Sequence, residues 1–143
     1  MGSYLERLRR EGLSLIVLKG GKTLFTSSGD GIRPLFDAID MVGLAGLGGS
    51  VVVDKVVGKA AALLVSYFKA KEVHCVTLSV RGREVLDRRG IGCYWERVVP
   101  EVLNKAGTDI CPFEKTVLDV DEPRDGYELL LAKLRSLRGG AQC

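Results

Sequence analysis

The stretch VVVDKVVGKAAALL, from Val51 to Leu64, decides the fold class. With the preceding Ser50, its first residues read SVVVD, a short apolar run. Apolar and polar residues do not alternate in this run as they would in a half-buried strand, so it predicts a strand buried on both faces. From Lys55 to about Ala70 the sequence predicts a helix. A buried strand followed directly by a helix is typical of a parallel sheet covered by helices.

The same alternation continues toward the C-terminus. EVHCVTLSV (72–80) predicts a strand, 81–89 a short helix stopped by Gly90, and IGCYWERVV (91–99) another strand, in which Tyr94 and Trp95 are expected to belong to the core and its cover. A helix opened by Pro112 follows. An amphipathic helix closes the chain, with apolar residues at Tyr127, Leu130, Leu131, Leu134 and Leu137.

The N-terminal third predicts a different arrangement. Ser3 and Glu6 form a capping box for a short helix that ends near Gly12. LSLIVLK (13–19) and TLFTSS (23–28) flank a Gly-Gly pair, which predicts a β-hairpin, and a helix begins around Pro34. We therefore expect a single domain over 1–143, a three-layer α/β/α fold whose mixed sheet carries an N-terminal antiparallel hairpin at one edge.

Composition excludes several classes of protein. The chain has 143 residues, 46% of them hydrophobic, and a net charge of +3, which is too mild to predict nucleic-acid binding. No apolar run approaches the roughly 18–20 residues of a membrane span, and the N-terminus lacks a signal-peptide pattern. The four cysteines, Cys75, Cys93, Cys111 and Cys143, form no Cys-x-x-Cys pair. We expect a reduced, cytoplasmic protein without a disulfide framework or structural zinc.

Two lysines follow the buried strand and suggest a ligand site. Asp54 is a suitable N-cap, and Lys55 and Lys59 would then lie one turn apart in the first turns of the helix. Cations are unfavourable there, so their presence suggests an anion held by lysines and backbone N–H groups, with Gly58 allowing close approach. Two solvated lysines and a glycine needed for packing explain the pattern equally simply.

A second candidate lies in TDICPFEKTVLD (108–119). Cys111 occupies an N-cap position, Pro112 the first helical position and Glu114 the capping-box position. Cysteine is not a preferred cap, and a helix N-terminus lowers a thiol pKa, so Cys111 is a candidate nucleophile with Glu114 as proton acceptor. The alternative is a buried, inert cysteine.

The other candidates are weaker. Asp30, between two glycines, could line the pocket or serve only as a turn residue. His74 is the only histidine and lies near the start of a strand, away from the expected site, so a catalytic Cys–His pair is disfavoured.

The order of elements resembles the cytidine deaminase-like fold. SGDGIRPLFDAID (28–40), VVVDKVVGKAAALL (51–64) and CPFEKTVLDVD (111–121) are similar to the domain-of-unknown-function 1893 family of that superfamily. Deaminases of this fold bind zinc through a His-x-Glu or Cys-x-Glu motif and a Pro-Cys-x-x-Cys motif. The first motif would fall at 30–33, which has no ligand pair. The second would place Val56 and Lys59 at the cysteine positions, so the resemblance implies the fold without its zinc or another cofactor.

Three functions therefore remain open. The first is a metal-free enzyme in which Lys55 and Lys59 bind an anionic or carbonyl-bearing small molecule, Cys111 is the nucleophile or sulfur carrier, and Glu114 and Asp54 orient or exchange protons. The second is a non-catalytic module that binds a nucleotide-like or other anionic ligand. The third is an oligomeric structural protein, a homo-oligomer in which the same motifs serve packing.

Overall fold

The computed structural model describes residues 2–137. Its helices are α1 Gly2–Arg10, α2 Arg33–Val42, α3 Leu44–Leu47, α4 Lys59–Tyr67, α5 Val80–Arg88, α6 Pro112–Thr116 and α7 Pro123–Ser136. Its strands are β1 Leu15–Lys19, β2 Lys22–Ser27, β3 Val51–Val57, β4 Glu72–Ser79 and β5 Gly92–Val99. No helix within residues 2–137 is both long and apolar enough to cross a membrane. The expected alternation of strands and helices is confirmed.

The five strands form one mixed sheet in the order β2-β1-β3-β4-β5. β1 pairs antiparallel with both β2 and β3, while β3, β4 and β5 are parallel. The β1–β2 turn is the predicted Gly20-Gly21 pair, whose φ angles of 58° and 77° are the positive values that a tight hairpin turn requires. The prediction of a mixed sheet with an antiparallel hairpin at one edge is confirmed.

Helices cover both faces of the sheet. The larger core lies between the sheet and α2, α4, α5, α6 and α7, with Leu35, Leu64, Leu86, Phe113 and Leu130 buried in it. The crossovers β3-α4-β4 and β4-α5-β5 run in the same direction along the sheet, so right-handed connections place both helices on one face. On the other face α1 packs over a small cluster formed by Leu5, Leu8, Ile16 and Val53.

The predicted boundary between β3 and α4 is wrong. β3 continues through Asp54 and Lys55 to Val57, and α4 begins only at Lys59. The physical reason is that Val56 and Val57 are β-branched and pair with Thr77 and Leu78 of β4, which keeps the backbone extended until Gly58. Asp54 is therefore a strand residue and not a helix cap.

Candidate functional site

A cavity of about 130 Å³ lies beside the C-terminal half of β3. β1 pairs with β3 only as far as Leu15 opposite Asp54, so the last residues of β3 have no neighbour on that side of the sheet. Loop 29–32, which leads into α2, and the start of α6 enclose the space. Six of the residues predicted for the site line this one cavity, namely Asp30, Asp54, Lys55, Gly58, Cys111 and Glu114.

The remaining polar and apolar walls of the cavity were not predicted from the sequence. Ser14 lines the cavity, and its hydroxyl lies 3.1 Å from the carbonyl oxygen of Ser27 and 2.5 Å from that of Gly29, so its single proton is donated in the shorter contact, at the start of loop 29–32. Val102 and Phe113 contribute apolar surface. Phe113 lies inside the quoted CPFE motif and could have been inferred from it, whereas nothing local to Ser14 or Val102 indicated a site.

Asp54 is the buried carboxyl group of β3 in this cavity. Its side chain is only 8% exposed, and Oδ1 accepts a hydrogen bond of 2.8 Å from the backbone N–H of Lys55. Burial raises the pKa of Asp54 from 3.8 to about 7, although hydrogen bonds from the backbone of Lys55 and Val56 act in the opposite direction. Because desolvation dominates, this carboxyl group can both accept and donate a proton near neutral pH.

Glu114 has a different partner from the one that the sequence predicts. Its two carboxylate oxygens accept hydrogen bonds of 2.8 Å from the backbone N–H groups of Lys59 and Ala60, the first two residues of α4. The side chain is 3% exposed, and burial raises its pKa in spite of those two bonds. Glu114 therefore caps α4 from a distant part of the chain, and it occupies the helix N-terminus that was expected to hold a ligand anion.

Gly58 makes this arrangement possible. A Cβ atom at position 58 would lie 2.6 Å from Oε1 of Glu114, which is closer than real Cβ contacts come. On the α5 side, a Cβ atom on Gly82 would lie 3.0 Å from the carbonyl oxygens of Val57 and Gly58. The strand-to-helix turn is thus packed on two sides. Of the two alternatives predicted for Gly58, close approach of a ligand or tight packing, the contact with Glu114 corresponds to packing.

The two lysines do not share a helix face, and that prediction is wrong. Lys55 lies in β3 with its side chain exposed at the rim of the cavity. Lys59 is the first residue of α4 and is 7% exposed, and its Nζ donates a hydrogen bond of 2.9 Å to the carbonyl of Leu118. The same ammonium lies 3.7 Å from Asp121. Because the strand continues to Val57, only Lys55 is left at the cavity.

Cys111 and Asp30 complete the set of predicted residues. Cys111 is 2% exposed and is the N-cap of α6, where its side chain makes no capping hydrogen bond. Its sulfur is disulfide-bonded, so a nucleophilic thiolate would first require reduction. Asp30 is exposed in loop 29–32. The residues that line the cavity include three carboxyl groups, those of Asp30, Asp54 and Glu114, and one cation, Lys55. The lining is therefore richer in acidic than in basic groups, whereas we had expected mainly positive charge.

His74 lies outside the cavity, as its position in β4 predicts. Its ring is 4% exposed, Nε2 lies 2.5 Å from a carboxylate oxygen of Glu72, and it packs between Tyr4 and Tyr94 on the α1 face of the sheet. It is a packed histidine of the core.

The fold is a deaminase-like α/β fold. An apo dCMP deaminase from the cyanophage S-TIM5 superimposes with a TM-score of 0.54 at 12% identity, over 66% of this chain and 94% of that one. A DUF1893 family protein from Thermotoga maritima, TM1506, superimposes with a TM-score of 0.83 at 32% identity, over 92% of this chain and 88% of that one.

The chain belongs to the DUF1893 family. The sequence profile of that family, described as a domain of unknown function, matches residues 3–134. No curated protein matches the chain. The resemblance inferred from the three sequence motifs is thereby confirmed.

The zinc ion of the deaminases does not fit the residues at this position. The N-terminus of α4 is capped by the carboxylate of Glu114, and Lys59 directs its ammonium to the carbonyl of Leu118. Over residues 2–137, no three His, Cys, Asp or Glu side chains cluster in a way that could hold a metal ion. The positions that the resemblance assigns to the two cysteines carry Val56, which lies within β3, and Lys59, and neither side chain supplies a ligand for zinc.

Proposed function

We propose that the cavity binds a small planar ring that carries both N–H and C=O groups, the chemistry of a nucleobase. The observation that carries the proposal is the buried carboxyl of Asp54 in the wall of a ring-sized space. A cavity of about 130 Å³ is close to the roughly 150 Å³ that accommodates benzene in an engineered protein cavity. A single ring can be enclosed here, and any larger ligand would extend past the rim.

The polar groups of the cavity suit such a ring. A carboxyl group with a pKa of about 7 can accept a hydrogen bond from a ring N–H when ionised and donate one to a ring nitrogen or carbonyl when protonated. At the start of α2, Pro34 has no N–H group and the N–H of Leu35 donates to the carbonyl of Ile32, so in this first turn the backbone N–H of Arg33 is the one that could bind a ring carbonyl. Apolar surface from Val102 and Phe113 would pack against the ring.

The predicted preference for an anionic ligand applies only to the rim. Three carboxyl groups around the cavity oppose a fully enclosed anion. Lys55 is exposed at the opening and could pair with a phosphate or carboxylate that the ring carries outside. The proposed ligand is therefore nucleotide-like, with a neutral ring inside and its charge outside.

Thermal-shift titration separates the two contacts. Free nucleobases, nucleosides and nucleoside monophosphates are compared on the wild type, Asp54→Asn, Lys55→Ala and Lys71→Ala, the last a control lysine that is exposed and lies away from the cavity. We expect Asp54→Asn to weaken binding of all three ligand types and Lys55→Ala to weaken only the monophosphate. The proposal would be rejected if each ligand stabilised all four proteins equally. It would also be rejected if no nucleobase, nucleoside or nucleotide raised the melting temperature of the wild type.

A second candidate function is acid–base catalysis on the bound ring. The observation that favours it is the raised pKa of Asp54, since a proton donor and acceptor is most effective when its pKa lies near the working pH. The test is incubation of the protein with each stabilising ligand, followed by mass spectrometry of the small molecules. A mass change that Asp54→Asn abolishes supports catalysis, and unchanged ligand supports a binding module.

Thiol chemistry at Cys111 stays a prediction. The residue lines the same cavity, so a persulfide or covalent intermediate on its sulfur would face the ligand, but only after reduction. Iodoacetamide labelling of the reduced protein across pH, compared with a free thiol, measures whether Cys111 is activated. Labelling that occurs only after unfolding would remove it from the reaction.

A further inference from the structure

The strand β5 forms an unprotected edge of the sheet. It pairs with β4 on one side, and within residues 2–137 no strand pairs with its other side. All five residues from Tyr94 to Val98 are exposed, on both faces of the strand. Exposed edges with apolar side chains are sites at which another strand can add, and monomeric proteins usually protect them with charges, proline or a covering element.

The apolar side chains of this edge are already held in place. Tyr94 is 40% exposed and stacks on His74, with ring centroids 4.7 Å apart. Trp95 is 36% exposed on the opposite face, where the guanidinium of Arg83 lies 4.7 Å from its ring. Val98 is 40% exposed. The prediction that Tyr94 and Trp95 complete the core and its cover is therefore only partly right, because no element of the described chain covers their outer surface.

Both charged side chains of β5 have a partner within the chain, but only that of Glu96 is ionic. Glu96 forms an ion pair with Arg9 at the end of α1, and Arg97 donates a hydrogen bond of 3.1 Å to the hydroxyl of Thr77. Such charges normally discourage edge-to-edge pairing. Because Glu96 has an ionic partner, it opposes the addition of a strand less than a free carboxylate would, and Arg97 is held by Thr77 but keeps its charge.

We propose that β5 pairs with β5 of a second copy of this chain, antiparallel about a two-fold axis, to make a continuous ten-stranded sheet. With a two-fold axis perpendicular to the sheet, the α1 faces of both copies lie on the same side of the combined sheet. Two residues that lie opposite each other across the axis must therefore point to the same face. With Glu96 on the axis, Tyr94 lies opposite Val98 of the second copy and Trp95 opposite Arg97.

The side-chain pairs in this register are complementary. An aromatic residue opposite a β-branched one and a tryptophan opposite an arginine are both favourable cross-strand pairs. The two copies of Glu96 would meet at the axis, each with its own Arg9 to offset the repulsion. The register centred on Trp95 instead places Tyr94 opposite Glu96. The register centred on Arg97 places two arginines opposite each other, and these have only the neutral hydroxyl of Thr77 as a partner, where each Glu96 has the opposite charge of Arg9. The edge therefore matches a second copy of itself.

The test is sedimentation equilibrium of the full chain with one variant on the strand and one control. Val98→Lys replaces the β-branched partner of Tyr94 with lysine, the residue that natural edge strands use most to block pairing, and should raise the dimer dissociation constant on the order of a hundredfold. Met41→Lys replaces another exposed apolar residue, 77% exposed in α2, and should leave dimerisation unchanged. A wild-type monomer at all accessible concentrations would reject the proposal, as would a dimer that Val98→Lys leaves intact.

Hydrogen exchange gives a second test, which uses only the wild-type protein and so does not require that any variant folds. Pairing at this edge protects backbone amides, so exchange in the peptide that covers 92–99 should slow as protein concentration rises. The peptides that cover α2 and α7 should exchange at a rate independent of concentration. Protection that rises elsewhere but not in 92–99 would place the interface on another surface and refute the β5 pairing.

Discussion

The carboxylate of Glu114 lies directly against the backbone of Gly58, 56 positions earlier in the chain. A Cβ atom at Gly58 would be 2.6 Å from Oε1 and 2.7 Å from the carboxyl carbon of Glu114. The same carboxylate accepts the N–H groups of Lys59 and Ala60. One contact thus joins the turn after β3 to α6 and closes one wall of the cavity.

The first prediction concerns this pair. Gly58→Ala should destabilise the protein because the new methyl group meets a buried carboxylate, and Glu114→Ala should do so because two buried N–H groups lose their acceptor. Each N–H group costs about 1–3 kcal/mol when left unsatisfied. In the double variant the methyl group has room. The loss of unfolding free energy in the double variant should therefore be smaller than the sum of the losses in the two single variants. Urea unfolding of all four proteins measures the coupling, and strictly additive losses would contradict the contact.

The second prediction concerns the pH dependence of stability. The pKa of Asp54 rises from 3.8 in the unfolded chain to about 7 in the fold, so between these values the folded state keeps a proton that the unfolded state has lost. Stability should therefore fall as pH rises through this window, by up to roughly 4 kcal/mol from this group. Burial raises the pKa of Glu114 as well and adds a contribution of the same sign.

Asp54→Asn should flatten this dependence, because asparagine does not titrate. The free energy of unfolding, measured at about pH 5 and about pH 8, should change less in Asp54→Asn than in the wild type. Asp30→Asn replaces the exposed aspartate of the same cavity and serves as the control. If Asp54→Asn and Asp30→Asn show the same pH dependence, the burial of Asp54 does not govern its titration.

The third prediction separates the two lysines. Lys59→Ala removes a buried aliphatic stem and the hydrogen bond to Leu118, so we expect a loss of about 1–3 kcal/mol. Lys55→Ala removes only an exposed strand side chain and should change stability by less than about 0.5 kcal/mol. Chemical denaturation of both variants checks this. A neutral Lys59→Ala would contradict the contribution of the buried hydrogen bond to Leu118.

The fourth prediction concerns the two free cysteines of the described chain, Cys75 and Cys93. Burial raises the pKa of the Cys75 thiol strongly, and burial raises that of Cys93 to about 11. Both thiols therefore hold little thiolate at neutral pH and should react slowly with iodoacetamide in the folded protein. Peptide mass spectrometry before and after addition of urea measures the difference. Fast labelling of Cys75 under native conditions would show that β4 opens locally.

Several features of the fold follow from local sequence patterns. The Gly20-Gly21 turn, the parallel strands β3 to β5 and the helix that begins at Pro112 are as predicted. Each depends on residues adjacent in the chain, through turn chemistry or hydrophobic periodicity. The end of β3 was missed because the charged pair Asp54-Lys55 resembles a helix start. Pairing of Val56 and Val57 with β4 overrides that local signal.

What the sequence by itself determined is the order of elements, the fold class and the group of residues around the cavity. Only the tertiary structure decided their roles. In the capping-box pattern Glu114 would cap its own helix, yet the fold places it against α4, where the N–H groups of Lys59 and Ala60 are buried and need an acceptor. The physical reason is that local patterns record what neighbouring residues prefer. The burial that raises the pKa of Asp54, and the choice of partner for each buried polar group, depend on which distant segments meet.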